Sequence, residues 1–248
     1  MTDAYREEIA RLTRALAAGA ADDLRPALAD GATDADVRLY ARGNWAQRRG
    51  LLRALLDFLA GAIPDLDDRL AAYLRAGPLA AGDSVRMDLA RFLAGLVNAG
   101  DLTAEQLDHV ACQQARLAVA AAAERDRAAP RRFHRRWLAT DPEAVLQPTA
   151  RLAIHLNPIR AGARFATAVL VGEDVPLPAD ALFFAAAGEY RTALLDPHGR
   201  ALVEELASWG PCALDAWASR SRAGTRDEIA PLCRALARMG LVAFDPAG

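Results

Sequence analysis

The apolar residues change period near residue 145, and that change constrains the fold more than any other feature of the chain. Before it they recur at helical spacing. Asp3 can cap a first helix carrying Ile9, Leu12 and Leu16. After Thr33 a longer pattern runs through Val37, Tyr40, Trp45, Leu51, Leu52, Leu55, Phe58 and Leu59. It has room to bend at Gly43 or Gly50, and it stops before Pro64. Residues 65–74, closed by Gly77-Pro78, and residues 86–96 predict two shorter helices. Thr103 and Gln106 have capping-box spacing and open a helix through Leu107, Val110, Leu117 and Val119. The alanines at 120–123 prolong it, because Ala has the best helix propensity, and Pro130 interrupts it.

From Thr149 the pattern alternates. Leu152, Ile154 and Leu156 stand against Arg151, Ala153 and His155, as in a half-buried strand. Residues 165–171 predict another strand, with a helix as the alternative, and 172–180 a surface connection. Residues 181–187 and 190–195 predict a hairpin, because a Gly188-Glu189 pair separates them. After Pro197 three helices are expected, at 198–208, 211–221 and 226–239. The last opens with a Thr225/Glu228 capping box and ends at Gly240, and 241–244 can form a closing strand. The fold class predicted is α+β. An N-terminal all-helical domain, 1–145, precedes a small winged helix-turn-helix-like domain, 146–248, made of a β-sheet plus three helices.

Composition removes several function classes. All 30 basic residues are Arg, against 32 acidic ones, for a net charge of −2. That balance argues against a basic nucleic-acid coat. Without Lys there is no Schiff-base chemistry, P-loop lysine or kinase lysine. The three cysteines, Cys112, Cys212 and Cys233, lack zinc-site spacing, and a reducing cytoplasmic setting fits them. The polar N-terminus is no signal peptide, and no apolar run approaches the roughly 20 residues of a membrane span. HExxH, GxSxG and GxGxxG motifs are absent. His109, His134, His155 and His198 are far apart and read as surface or structural. The pairs Asp22-Asp23, Asp67-Asp68 and Glu204-Glu205 read as solvated helix faces, Asp83 and Asp88 as acids complementing a helix start. Cys112 and Cys233 read as small buried hydrophobes.

Two surfaces remain. The stretch RRFHRRWL, 131–138, could hold phosphates or stack on bases. Its plainer reading is a helix anchored by Phe133 and Trp137 with its arginines in water, and a protein contact through Arg132, Phe133, Arg136 and Trp137 is the third. The strand Tyr190, Arg191, Thr192, Ala193, Leu194, Leu195 would be an edge to which a peptide can add, with Arg234 and Arg238 on the neighbouring helix giving specificity. The plainer reading there is an edge protected by its arginine and turns.

The segments PTARLAIHLNP, LFFAAAGEYRTALLDPHGRALVEEL and DEIAPLCRALARMGLV together resemble a PqqD-like RiPP recognition element. The stretch VRLYARGNWAQRRGLLRAL, followed by AAYLRAGP and DLARFLAGL, resembles the N-terminal domain of a family labelled as a DNA-binding domain. Proteins of that family are encoded beside multinuclear non-haem iron-dependent oxidative enzymes (MNIO) and act as their partner subunits in methanobactin, thiaglutamate-type and related RiPP biosynthesis. The likeness spans about Val37 to Val242 and rests on the order and spacing of apolar residues. It departs from the family after the Tyr, where ARGNW keeps only Asn44 of an Asn-rich segment. It implies a non-catalytic partner without a cofactor of its own, the iron lying in a TIM-barrel enzyme. The chain would bind the precursor's leader at 190–195 beside helix 226–239 and present the core peptide, often a Cys, to that enzyme. The helical domain, with Arg132, Phe133, Arg136 and Trp137, would dock the enzyme.

The alternative is a winged-helix DNA-binding transcriptional regulator. Helix 211–221 has few basic or amide side chains for base reading, so no nucleic-acid partner is expected. A stand-alone enzyme finds no nucleophile, cofactor cradle or ligand set in the sequence.

Overall fold

The computed structural model describes residues 33–76, 84–147, 151–186 and 188–246, together with Glu7. The first helix through Ile9, Leu12 and Leu16, the Gly77-Pro78 stop, Asp22-Asp23 and Asp83 lie outside the described residues. The chain is α+β, its helices N-terminal and its strands C-terminal. It forms two compact units, Met1–Gln113 and Gln114–Gly248. The division falls earlier than the boundary expected near 145, so the Arg-rich helix belongs to the second unit.

In the first unit α1 (Asp34–Leu55) leads into a single turn, α2 (Asp57–Ala60). The helix runs unbroken through Gly43 and Gly50, since an interior Gly costs only about 1 kcal/mol. The chain breaks instead at Leu56. Then come α3 (Leu66–Ala76), α4 (Val85–Ala99) and α5 (Ala104–Arg125), which continues into the second unit. Ser84 caps α4, and Gly100, in the left-handed region at φ 72°, ends it. Thr103 and Gln106 make the reciprocal capping box that starts α5. Leu52, Leu59, Leu70, Leu89, Phe92 and Leu93 fill the core.

Asp88 is the most deeply buried of the polar residues described in that core, with 1% of its surface exposed. Arg48 Nε and Nη2 donate to its two carboxylate oxygens at 2.7 and 2.8 Å, and the Tyr73 hydroxyl donates at 2.6 Å. Its role is therefore more than complementing a helix start: it ties α1, α3 and α4 together. Burial pushes the carboxyl up, but the Arg48 and Tyr73 hydrogen bonds and the guanidinium charge hold it below the ordinary carboxylate range.

The second unit begins with the end of α5. Asp126 accepts from the Ala128 and Ala129 amides, starting α6 (Ala128–Leu138). Pro130 sits in the first turn of α6, where its missing N–H costs nothing, so the break lies at Asp126 rather than at the proline. A 3-10 turn (Ala144–Leu146) leads to β1 (Leu152–Leu156), β2 (Arg160–Phe165), β3 (Ala179–Ala186) and β4 (Glu189–Leu195). Then follow α7 (Pro197–Trp209), β5 (Cys212–Ala213), α8 (Leu214–Arg220), α9 (Arg226–Met239) and β6 (Val242–Pro246). The strands form two antiparallel three-stranded sheets, ordered β5-β1-β6 and β2-β3-β4. The strand expected at 165–171 lies earlier, at β2. The apolar run after Phe165 forms turns, and Val169 is 45% exposed, so its β propensity finds no partner.

Phe184, Leu202, Leu206, Trp217, Ile229 and Leu236 lie in one buried cluster. Three polar contacts fix its geometry. Asn157, 1% exposed, donates to the carbonyls of Ala185 and Gly240 and accepts from the Ile159 amide. Trp137 Nε1 donates to the Ala237 carbonyl at 2.6 Å. Glu205 accepts from Ser221 Oγ, Trp217 Nε1 and the Arg222 amide, which ties α7 to the turn between α8 and α9. It was expected on a solvated face. Its neighbour Glu204 does pair outward, with Arg200. Gly240 ends α9 at φ 84°, and a Cβ there would lie 2.8 Å from Ala186 Cβ and 3.2 Å from the Trp137 ring.

Two outcomes are predicted. Asp88→Asn removes the carboxylate charge that pairs with Arg48 and costs about 3 kcal/mol in denaturant unfolding at pH 7. The wild type holds the Asp88 contribution above the ordinary carboxylate range and loses it only as pH falls through the depressed folded-state value, whereas the variant shows no such acid step. Gly240→Ala destabilises more than Gly100→Ala does. Both positions have positive φ, worth about 1–2 kcal/mol, but only Gly240 lacks room for a Cβ.

Candidate functional site

The β3–β4 hairpin carries the candidate site. Ala186 pairs with Glu189 across a two-residue turn, and the register continues through Phe184↔Arg191 and Leu182↔Ala193 to Asp180↔Leu195. Among the described residues β4 pairs only with β3, so it is an edge. Ladder alternation from the closing pair turns the N–H and C=O groups of Tyr190, Thr192 and Leu194 away from β3. The side chains alternate too. Ala193 is buried and Arg191 and Leu195 half-buried, while Tyr190, Thr192 and Leu194 are exposed.

Helix α9 runs along β4 in the opposite direction. At one end Leu195 and Leu232 meet over Gly199, each within 4 Å of where a Gly199 Cβ would stand. At the other, Arg191 Nη1 donates to the Met239 carbonyl at 2.9 Å, and its guanidinium lies 5.4 Å from the Trp137 ring centre. From 232 to 239 a helix rises about 10 Å, and from 191 to 195 a strand runs about 13 Å, so the two elements match in length. Leu232, Ala235 and Met239 share one flank of α9. Leu232 and Met239 are half-buried and Ala235 is exposed.

Arg234 and Arg238 do not join this flank. They lie on a different side of α9, where both pair with Glu143. Those guanidiniums hold the Glu143 carboxyl below its usual range, Arg238 most of all. Pattern reading placed both arginines on the right helix and the wrong face. It missed Leu232 and Met239, which the 3.6-residue period marks as one flank.

The four residues singled out on α6 are placed mostly inward. Phe133 is 5% exposed, Trp137 bonds to α9, and Arg136 Nε donates to Asp245 in β6. Only Arg132 is exposed. The outward face of α6 is instead Arg131, Arg135 and Leu138, the last 69% exposed. The plainer reading of RRFHRRWL, aromatic anchors with solvated arginines, describes this helix, except that Arg136 is also engaged.

The histidines stay apart. His109 bonds to the Glu105 carbonyl, His134 lies against Trp137, and His155 Nε2 is 3.1 Å from Asp245. Burial, with the nearby Arg136 charge, pushes His155 down, and Asp245 only partly offsets it. Cys112 and Cys233 are buried, and burial pushes the Cys233 and Cys212 thiols up, so neither of these two is poised as a nucleophile. Among the described residues no group of three His, Cys, Asp or Glu could hold a metal, and no helix is long and apolar enough to cross a membrane. What this site can do is offer backbone hydrogen bonds and an apolar flank to an extended chain. No protein-family model matches the sequence, and no curated protein or solved structure matches it either.

Proposed function

We propose that the chain is a non-catalytic peptide-binding partner protein in ribosomal peptide natural product biosynthesis. In this reading it captures the precursor's leader by strand addition and presents the core peptide, with a Cys as the residue to be modified, to an associated multinuclear iron-dependent oxidative enzyme. The observation that carries the reading is the unpaired β4 edge beside the half-exposed Leu232–Met239 flank. A leader laid along β4 would bond to the outward backbone groups of Tyr190, Thr192 and Leu194, and its alternate side chains would reach that flank. Tethering makes delivery of the core intramolecular, with effective concentrations of order mM for short linkers. Docking of the enzyme would fall to the outward α6 face or to the helical unit rather than to Phe133 and Trp137.

The DNA-binding alternative finds less support. On α9, the third helix of the module, Arg226 pairs with Asp215, and Arg234 and Arg238 pair with Glu143. Those side chains would have to leave carboxylates to reach phosphates or bases.

The test is titration of fluorescein-labelled leader from the precursor encoded beside the enzyme. Saturable binding is expected, with co-elution of the chain and enzyme in size exclusion. Thr192→Pro removes an outward N–H and no ladder bond, so it abolishes leader binding while far-UV circular dichroism stays unchanged. Leu232→Asp weakens binding by tenfold or more, and Arg234→Ala with Arg238→Ala leaves it within twofold. Equal leader affinity in wild type and Thr192→Pro would sink strand addition at β4. Salt-dependent duplex binding without leader binding would return the DNA reading.

A further inference from the structure

We propose that the second unit also holds a carboxylate-binding cavity, built around Arg160 and lined by none of the β4 residues. The cavity, of about 310 Å³, opens beside α6, the β1–β2 connection and the C-terminal end of α7. Arg132, Arg136, His155 and Arg160 supply its polar wall, and Phe133 and Leu206 part of its apolar wall.

Arg160 makes the case. It is the first residue of β2 and half-buried. Its Nη1 donates to the Asn157 carbonyl at 2.7 Å, and among the described residues no carboxylate pairs with it. A guanidinium has five N–H donors and stays charged at any ordinary pH. Burying it beside one neutral carbonyl is costly unless an anion completes the site. Burial accordingly pushes its pKa down, with no charged neighbour to restore it.

The other charges do not neutralise the cavity. Asp245 is shared by Arg136 and His155. Arg132, at the rim, is 3.8 Å from Asp126, and both are more than half exposed. Three guanidiniums therefore line the cavity, and the carboxylates that pair with two of them, Asp245 and Asp126, are not in its lining. Arg forks match the two oxygens of a carboxylate. The apolar wall gives an advantage to an acid with a short carbon body over a bare inorganic ion. At this volume the body is small: a free organic acid of about six carbons, or an acidic side chain of a peptide, the two sources of the same chemistry.

The experiment uses the full chain at constant ionic strength in chloride. Hexanoate, hexanamide and inorganic phosphate are each titrated by calorimetry and thermal shift. Hexanoate is expected to bind saturably and raise the melting temperature, and hexanamide to do neither. Arg160→Gln and Arg132→Gln each weaken hexanoate by about tenfold, as loss of a charged hydrogen bond predicts. Arg132 is exposed, so its variant reads the site even if Arg160→Gln fails to fold. The capped peptide acetyl-Leu-Glu-Leu-amide then separates the sources. Competition with hexanoate assigns a peptide side chain, and no competition assigns a free acid. Equal behaviour of hexanoate and hexanamide, insensitivity to Arg132→Gln, or binding of phosphate alone overturns the assignment. Because no leader is present, none of these outcomes depends on the β4 reading.

Discussion

Asn157 is the interaction on which the second unit depends. It sits at the junction of the two sheets, one residue past β1, and its own amide donates to the Leu241 carbonyl just before β6. Its side-chain amide reaches the last turns of two other elements, at Ala185 in β3 and Gly240 after α9. A buried primary amide can donate twice and accept, and all three capacities are used here. No apolar residue could hold those carbonyls, and leaving them unpaired would cost about 1–3 kcal/mol each. One side chain that is on neither the hairpin nor the helix therefore links the end of β3 to the end of α9, and Arg191 adds a direct bond from β4 to the Met239 carbonyl.

The same device recurs elsewhere in the chain. Glu205 gathers three donors from the turn after α8 and stays charged, because Ser221, Arg222 and Trp217 outweigh the burial that would protonate it. Asp88 gathers Arg48 and Tyr73 in the first unit. In each case an apolar core sets the elements together loosely by area, and one saturated polar group fixes their angle. Trp137 adds a variant: its indole donates into α9 while its ring covers the one glycine that lets the chain leave that helix. Substituting any of these polar groups leaves part-buried partners short of a hydrogen bond, which is why they matter more than their number suggests.

The fold was largely legible in the sequence because its signals are local. Capping boxes at Thr103 and Thr225, the glycine after α9, and the period change near 145 report on neighbours a few residues away. The hairpin was legible for the same reason, but it closes one residue earlier than the expected Gly188-Glu189 turn, because Ala186 pairs with Glu189 and Glu189 opens β4. The errors fall where partners are distant. Asp88 reads as a helix-start acid and Glu205 as a solvated one because their donors lie 15 to 40 and 12 to 17 residues away. On α6 the plainer reading, aromatic anchors with solvated arginines, describes the helix, whereas the partner-contact reading put Phe133 and Trp137 on a docking surface although they point inward and expose Arg131, Arg135 and Leu138. For the candidate site, periodicity located the strand and the helix. It could not choose which flank of α9 meets β4, because Glu143, whose carboxylate claims Arg234 and Arg238, is more than ninety residues away.

The two edges of the β2-β3-β4 sheet differ in a way that bears on the peptide reading. An unpaired edge is a hazard, and proteins blunt it with charge, glycine kinks or short length. The β2 edge has such features: Gly162 and Arg164 lie exposed along it. β4 is longer, and between Tyr190 and Leu195 its only charge is Arg191, whose guanidinium is turned onto the Met239 carbonyl and the Trp137 ring. Tyr190 and Leu194 are left 53% and 45% exposed beside the outward backbone groups. An edge with exposed apolar side chains beside unpaired backbone groups invites pairing. Directing the Arg191 charge inward, where it fastens the strand to α9, gives up protection for position. That exchange is useful to a strand meant to be covered, and it would be a liability in one meant to stay bare.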